Sequence, residues 1–228
     1  MKKILAFTFL FCSILSHCLA LAPMTDENLM QAIKYGIASK QDNRSMSQFL
    51  EPWKISEKLL KNPYRQKETV VLYTPYLLAA IHARDKVDES RMPELPQIRS
   101  AVQEYDGITL IGTRINTPVL LREGEYSVKL LQGKTILIPY ATNFLSWEML
   151  EVPEEQPEIK ADKPDDGKQL TVNEKANKDP VKMKKIAVLD YQFYFDNSQF
   201  APNQPFTIEI TDKYCGPRNF DINPAAIR

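Results

Sequence analysis

The sequence predicts an α+β protein: a helical N-terminal part packed on a C-terminal antiparallel β-sandwich. Apolar residues recur at helical spacing as far as residue 105, and two-residue alternation takes over from Asp106. The alternating segments are short and separated by turn signals, as in a sandwich. The 228 residues, 43% of them apolar, suffice for a packed core.

Each element has a local reason. Thr25-Asp26-Glu27 supplies a cap and first-turn acids ahead of Leu29, Met30, Ile33 and Ile37, so a helix starts at 25–27 and ends in the polar run Ser39 to Ser47. Pro52, in Phe49-Leu50-Glu51-Pro52-Trp53, pushes Leu50 and Glu51 toward extended backbone. Val70-Val71-Leu72-Tyr73 is β-branched and aromatic and reads as a strand. Thr74-Pro75 then starts a helix running to about Lys86, and Glu94 to Tyr105 forms another with Pro96 near its start.

Beyond Asp106, strands are expected at Ile108–Ile115, Tyr126–Leu131, Thr135–Tyr140, Phe144–Leu150, Lys185–Asp196, Phe206–Ile210 and Asn219–Ile222. Gln132-Gly133 turns the second into the third as a hairpin. The 35 residues from Glu151 to Lys185 hold 9 acids, 8 bases, four Pro and no aromatic residue. Such a stretch cannot bury enough apolar surface to offset chain entropy, so residues 153–182 are expected to be a disordered insertion between two paired strands. The expected organisation is a leader at 1–22, a mainly helical region at 23–105, and an Ig-like β-sandwich region at 106–228.

The first 22 residues have the pattern of an export signal. Lys2 and Lys3 precede the apolar run Ile4 to Leu15, and small residues follow. Twelve helical residues rise about 18 Å, short of the roughly 30 Å hydrocarbon core, so a cleaved leader is expected in place of a transmembrane anchor. Cleavage falls after Ala20 or Ala22; Pro23 would follow the second site, which favours the first. Leu15-Ser16-His17-Cys18 also has the outline of a lipoprotein signal, with Cys18 as the lipidated residue, although His17 is larger than the small residue expected there. The expected location is therefore the periplasm or the extracellular medium, free or tethered.

Removal of the leader leaves 27 basic against 29 acidic side chains and Cys215 as the one cysteine. An internal disulfide is then impossible. The near-neutral charge argues against nucleic acid, the seven Gly show no phosphate-binding pattern, and two His cannot build a multi-histidine metal site. No cofactor is expected. His82 reads as a helix-surface residue, with a Cys215–His82 dyad as the reactive alternative, and no Gly-x-Ser-x-Gly elbow occurs. Asp162, Asp165 and Asp166 before Gly167 lack the spacing of a calcium loop, and Asn43-Arg44-Ser45 fits a glycosylation acceptor. Tyr191, Phe193 and Phe195 form the core face of their strand, which leaves Gln192 and Tyr194 opposite as a candidate interaction surface. Trp53 either joins that surface or anchors the first helix on the sheet.

Phe49-Leu50-Glu51-Pro52-Trp53, Val71-Leu72-Tyr73-Thr74-Pro75-Tyr76, Tyr194-Phe195-Asp196, Pro202-Asn203 and Phe220-Asp221-Ile222 together resemble an uncharacterised family of small exported bacterial proteins with no assigned activity. The resemblance implies bacterial export and carries over no catalytic residue. The expected function is a non-enzymatic binding or structural protein of the bacterial envelope, with an envelope protein or polymer as partner. The alternatives are a carboxylate-based hydrolase acting on envelope polysaccharide and a lipoprotein held through Cys18.

Overall fold

A computed structural model describes residues 24–57, 68–88, 93–122, 124–153 and 183–227. Ala20, Ala22 and Cys18 of the leader, and Asp162, Asp165 and Asp166 of the insertion, lie outside the described residues.

Helix α1 (Asp26–Gln41) begins where Thr25 Oγ1 accepts the Asn28 N–H at 3.2 Å, with Asp26 and Glu27 in its first turn and Lys40 in its last. It ends at Asn43, whose φ of 53° is the left-handed conformation that asparagine tolerates. Helix α2 (Met46–Leu50) is closed by a reciprocal capping box between Ser45 and Gln48. A 3₁₀ turn at Glu51–Trp53 follows, so Leu50 and Glu51 are helical and not extended as the sequence had suggested. Pro52 is tolerated because it sits at the start of that turn, where its missing N–H has no intrahelical partner to lose.

Strands β1 (Lys54–Ser56) and β2 (Thr69–Tyr73) precede helix α3 (Pro75–Asp88), which is capped by Thr74 Oγ1 accepting the Leu77 N–H at 3.1 Å. Helix α4 (Leu95–Gln103) then leads into β3 (Ile108–Thr117), β4 (Tyr126–Gln132), β5 (Thr135–Leu137), β6 (Ala141–Pro153), β7 (Met183–Asp196), β8 (Phe206–Asp212) and β9 (Gly216–Ile222). The β4–β5 hairpin forms, with Gly133 at a φ of 59° in its two-residue loop. Strand β5 stops before Pro139, which has no N–H for the ladder. Strands β6 and β7 pair from Ala141–Tyr194 out to Pro153–Met183, so the charged insertion joins two neighbouring strands.

The strands form two antiparallel sheets, in the orders β1-β2-β3-β7-β6 and β5-β4-β8-β9. Their facing sides share one core, in which Val70, Leu72, Ile111, Leu189 and Phe193 meet Val128, Leu130, Ile208, Ile210 and Phe220. The other side of the five-stranded sheet presents Val71 and Leu110 to the helices, where Leu29, Ile33, Phe49, Trp53, Leu77 and Ile98 complete a second core. The protein is therefore a mixed α+β fold with two antiparallel sheets, and the Ig-like form of the expected sandwich is not confirmed. The N-terminal part adds two strands to the larger sheet as well as helices over it.

Helices α1 and α3 are in backbone contact at Gly36, where a Cβ would lie 2.2 Å from the Ala80 carbonyl oxygen. Nearby, the buried Arg84 donates to Ser39 Oγ and, at 2.6 Å, to the Arg44 carbonyl, and stacks on Phe49. This clasp holds the α1–α2 turn against α3, and so fixes where α2 sits above the sheet.

Candidate functional site

Sheet register decides which side chains can meet on the helix-bearing face. One row across the strands reads Lys54, Val71, Gly112, Gln192 and Asn143. The next reads Ser56, Thr69, Arg114, Asp190 and Ser146, and a third Tyr73, Leu110, Tyr194 and Ala141. Directly opposed residues in adjacent strands share a face, so these rows lie on one surface. The helices leave part of it open. Between α2 on one side and β6 on the other lies a groove of about 600 Å³, with Met46, Leu50 and Leu145 on its walls and Tyr73, Arg114 and Asp190 among its floor residues.

Two polar clusters share this face, one on the groove floor and one beside it that reaches the floor through Tyr73. Arg114 forks onto Asp190 at 3.0 and 3.2 Å and also pairs with Glu148, while Ser146 Oγ donates to Asp190 at 2.9 Å. Two carboxylates on one guanidinium leave this part of the floor without surplus positive charge. Gln192 Oε1 accepts from the Tyr194 hydroxyl at 3.3 Å and from Asn143 Nδ2 at 3.5 Å, and Gln192 also hydrogen-bonds Tyr73. Burial is the main cause that pushes the Tyr73 phenol above its ordinary value, so this hydroxyl stays protonated. Gly112 makes the arrangement possible: the Tyr73 ring lies across it, 2.7 Å from where a Cβ would stand.

Gln192 and Tyr194, expected on this face, are brought together here. Trp53 is not part of it. It is fully buried, with Nε1 donating to Thr74 Oγ1 at 3.1 Å and its ring among Tyr35, Phe49 and Tyr76. It anchors the turn after α2 to the start of α3 and packs edge-on against Tyr35 of α1. The sequence reading passed over Tyr73, Arg114, Asn143 and Ser146. Arg114 carried a usable signal, since Gly112 and Arg114 alternate with Ile111 and Ile115 and so face away from the sheet core.

A second polar cluster is closed to solvent. Arg218 Nε lies 2.7 Å from Glu68 Oε2 and its Nη1 2.6 Å from Asp212 Oδ2, with all three side chains fully buried. Glu68 also accepts the Asn116 N–H at 2.7 Å, so the cluster ties the end of one sheet to the other. Desolvation pushes Glu68 up to about 7, against the pull of Arg218 and the Asn116 N–H. Cys215 lies beside this cluster with its thiol 3.7 Å from the Asn116 carbonyl. Burial, reinforced by Asp212, pushes the thiol up to about 11, the opposite of what a nucleophile needs. His82 stays on α3, in the helical layer across the larger sheet, and is not among the groups that perturb Cys215. Among the described residues, no group of three or more His, Cys, Asp or Glu is arranged to hold a metal ion, and no helix is long and apolar enough to cross a membrane.

Comparison of the chain with protein families, with curated proteins and with solved structures returns no match.

Proposed function

We propose that the chain is an exported, non-enzymatic binding protein of the bacterial envelope, and that it holds a hydroxyl- and amide-rich polymer in the groove between α2 and β6. The leader pattern and the resemblance to exported bacterial proteins support the location. The observation that carries the binding reading is the groove floor itself. Arg114 and Asp190 pair on the floor with Ser146, and Tyr73 links the floor to a second hydrogen-bonded set of two amides and a phenol beside it, so that the polar face spans four strands next to apolar walls. A floor of mixed donors and acceptors without surplus positive charge suits a neutral polar ligand better than an anion. Such sites on rigid strands bind without having to order themselves first.

A hydrolase acting on the same polymer would need two acids facing each other across an open cleft, one of them desolvated enough to stay protonated. Glu68, the acid that burial raises, is sealed against Arg218, and the groove's Asp190 and the neighbouring Glu148 both engage Arg114. Both arrangements favour binding over cleavage. A tether at Cys18 would change where the groove is held and not what it binds.

The test is co-sedimentation of the purified mature chain with isolated cell-wall polysaccharide, followed by assay of the supernatant for released reducing ends. Retention that falls about tenfold or more in Arg114→Ala, with no release of sugar, is the expected result. Equal retention of the variant refutes the groove, and release of reducing ends refutes the non-enzymatic reading.

A further inference from the structure

Strand β6 is the last strand of the five-stranded sheet, and among the described residues its outer edge pairs with nothing. Long edge strands are ordinarily shielded by lysines, prolines or bulges, because their open backbone invites another strand. Over its 13 residues β6 has no Lys or Arg, one Pro at its last position, and a single register shift between Phe144 and Ser146. Its large apolar side chains also stand in solvent. Phe144, Leu145, Trp147, Met149 and Leu150 are 37–50% exposed, and the neighbouring Ile138 is 76% exposed. Phe144, Trp147 and Met149 lie on one face of β6 and Leu145 and Leu150 on the helix-bearing side, so on the order of 600 Å² of apolar side chain flanks the open edge on both sides. With the open backbone of the edge, the surface approaches the roughly 800 Å² that each partner contributes to a standard interface.

We infer that this edge is covered by a second copy of the chain, with β6 pairing antiparallel to β6 about a two-fold axis at Met149. The axis follows from elimination. Opposed residues of an antiparallel pair share a face, so a two-fold axis that keeps faces matched passes through a residue. An axis at Glu148 or Glu151 sets a carboxylate against its own copy, which is destabilising. One at Trp147 runs into the irregularity before Ser146, and one at Leu150 pairs Trp147 with Pro153, which has no N–H to donate. The axis at Met149 pairs the regular run Ser146 to Val152 with itself. It opposes Trp147 to Glu151 and Glu148 to Leu150, so no like charges stand directly opposed, Glu148 and its copy being diagonal neighbours that each keep Arg114, and it brings the exposed apolar residues of both copies to the seam. Two five-stranded sheets then become one continuous ten-stranded sheet, in keeping with the antiparallel pairing throughout each. The α2 groove has its other wall on β6, so the dimer sets two grooves beside each other. The groove's own binding does not depend on the pairing.

The test is sedimentation velocity of the mature chain up to about 100 μM, with disulfide trapping in a Cys215→Ser background. The expected result is a dimer of low-micromolar or tighter dissociation constant, weakened about 100-fold by Trp147→Lys with an unchanged circular dichroism spectrum. Met149→Cys cross-links two chains, since directly opposed residues lie within disulfide reach, while Ser146→Cys, opposed to Val152, does not. The trapping does not rely on Trp147→Lys folding. A native chain that stays monomeric at about 100 μM overturns the inference, whether it then takes up an extended apolar peptide, a lipid vesicle or nothing. Equal cross-linking of Met149→Cys and Ser146→Cys overturns it as well.

Discussion

Replacing Gly36 by alanine sets two effects of opposite sign against each other. In an isolated helix the change stabilises by about 1 kcal/mol, because glycine surrenders more backbone freedom on becoming helical. In this fold the new methyl would stand 2.2 Å from the Ala80 carbonyl oxygen and 3.1 Å from Ala83 Cβ, where ordinary contact begins near 3.4 Å. The obstacle is helix backbone, which cannot rotate out of the way, so α1 and α3 must part by roughly 1 Å. Gaps of about 0.5–1 Å forfeit a quarter to a half of the dispersion between facing atoms, and that loss falls on Leu29, Ala32, Ile33 and Ala79, which the same seam buries. Overpacking of this kind costs about 1–3 kcal/mol and sometimes more. Because the obstacle here is backbone, we place the cost at the upper end and the net effect at about 2 kcal/mol of destabilisation. The expected outcome is a melting temperature lowered by about 4–8 °C in thermal unfolding followed by circular dichroism, with a matching fall in the urea midpoint. A melting temperature that rises would mean that α1 and α3 are not in backbone contact at Gly36, and the position of α2 above the sheet would lose its support.

Four further outcomes rest on other contacts of the fold. Gly112→Ala should displace the Tyr73 ring from the groove floor and break its bond to Gln192, so polymer retention falls several-fold while the melting temperature moves by only a few degrees, the ring being a side chain free to swing. Arg218→Met should cost about 3–5 kcal/mol by leaving Glu68 and Asp212 as uncompensated buried acids, read from urea unfolding. In the unaltered chain Glu68 holds its proton more tightly folded, at about 7, than its ordinary 4.5. Its contribution to stability is therefore complete below the lower value and lost as pH rises through the upper one, on the order of 3 kcal/mol in all, and Glu68→Gln should flatten that slope. Cys215, its thiol pushed up to about 11, should be alkylated at pH 8 about 100-fold more slowly in the folded chain than in urea, and an equal rate in both would contradict its placement.

Much of the fold was legible because its causes are local. Thr25 and Thr74-Pro75 announce helix starts by cap chemistry, and the alternation of Tyr191, Phe193 and Phe195 names the core face of β7 without any partner in view. What the sequence obscured depended on tertiary contact or on competition between local rules. Strand β1 has only three residues and no alternation to read, and it exists because Lys54 to Ser56 lie against β2. At Leu50 and Glu51 the preference imposed by Pro52 lost to the Ser45–Gln48 capping box and the burial of Phe49 and Trp53. The polar face that holds the groove was half visible. Gln192 and Tyr194 follow from the period of one strand, but Arg114 and Ser146 join them only through register across β3, β7 and β6, which no single segment encodes. Trp53 belongs to the same lesson, since aromatic residues at surfaces and in cores look alike until their neighbours are known.

The proposed function places this body outside the cytosol once its leader is removed. Intact-mass measurement of the native polypeptide, taken from fractionated bacterial cells, tests it most directly. The expected chain starts at Leu21 or Pro23, or at a lipidated Cys18, and is found in the periplasmic, membrane or extracellular fraction. A chain beginning at Met1 in the cytosolic fraction would contradict it.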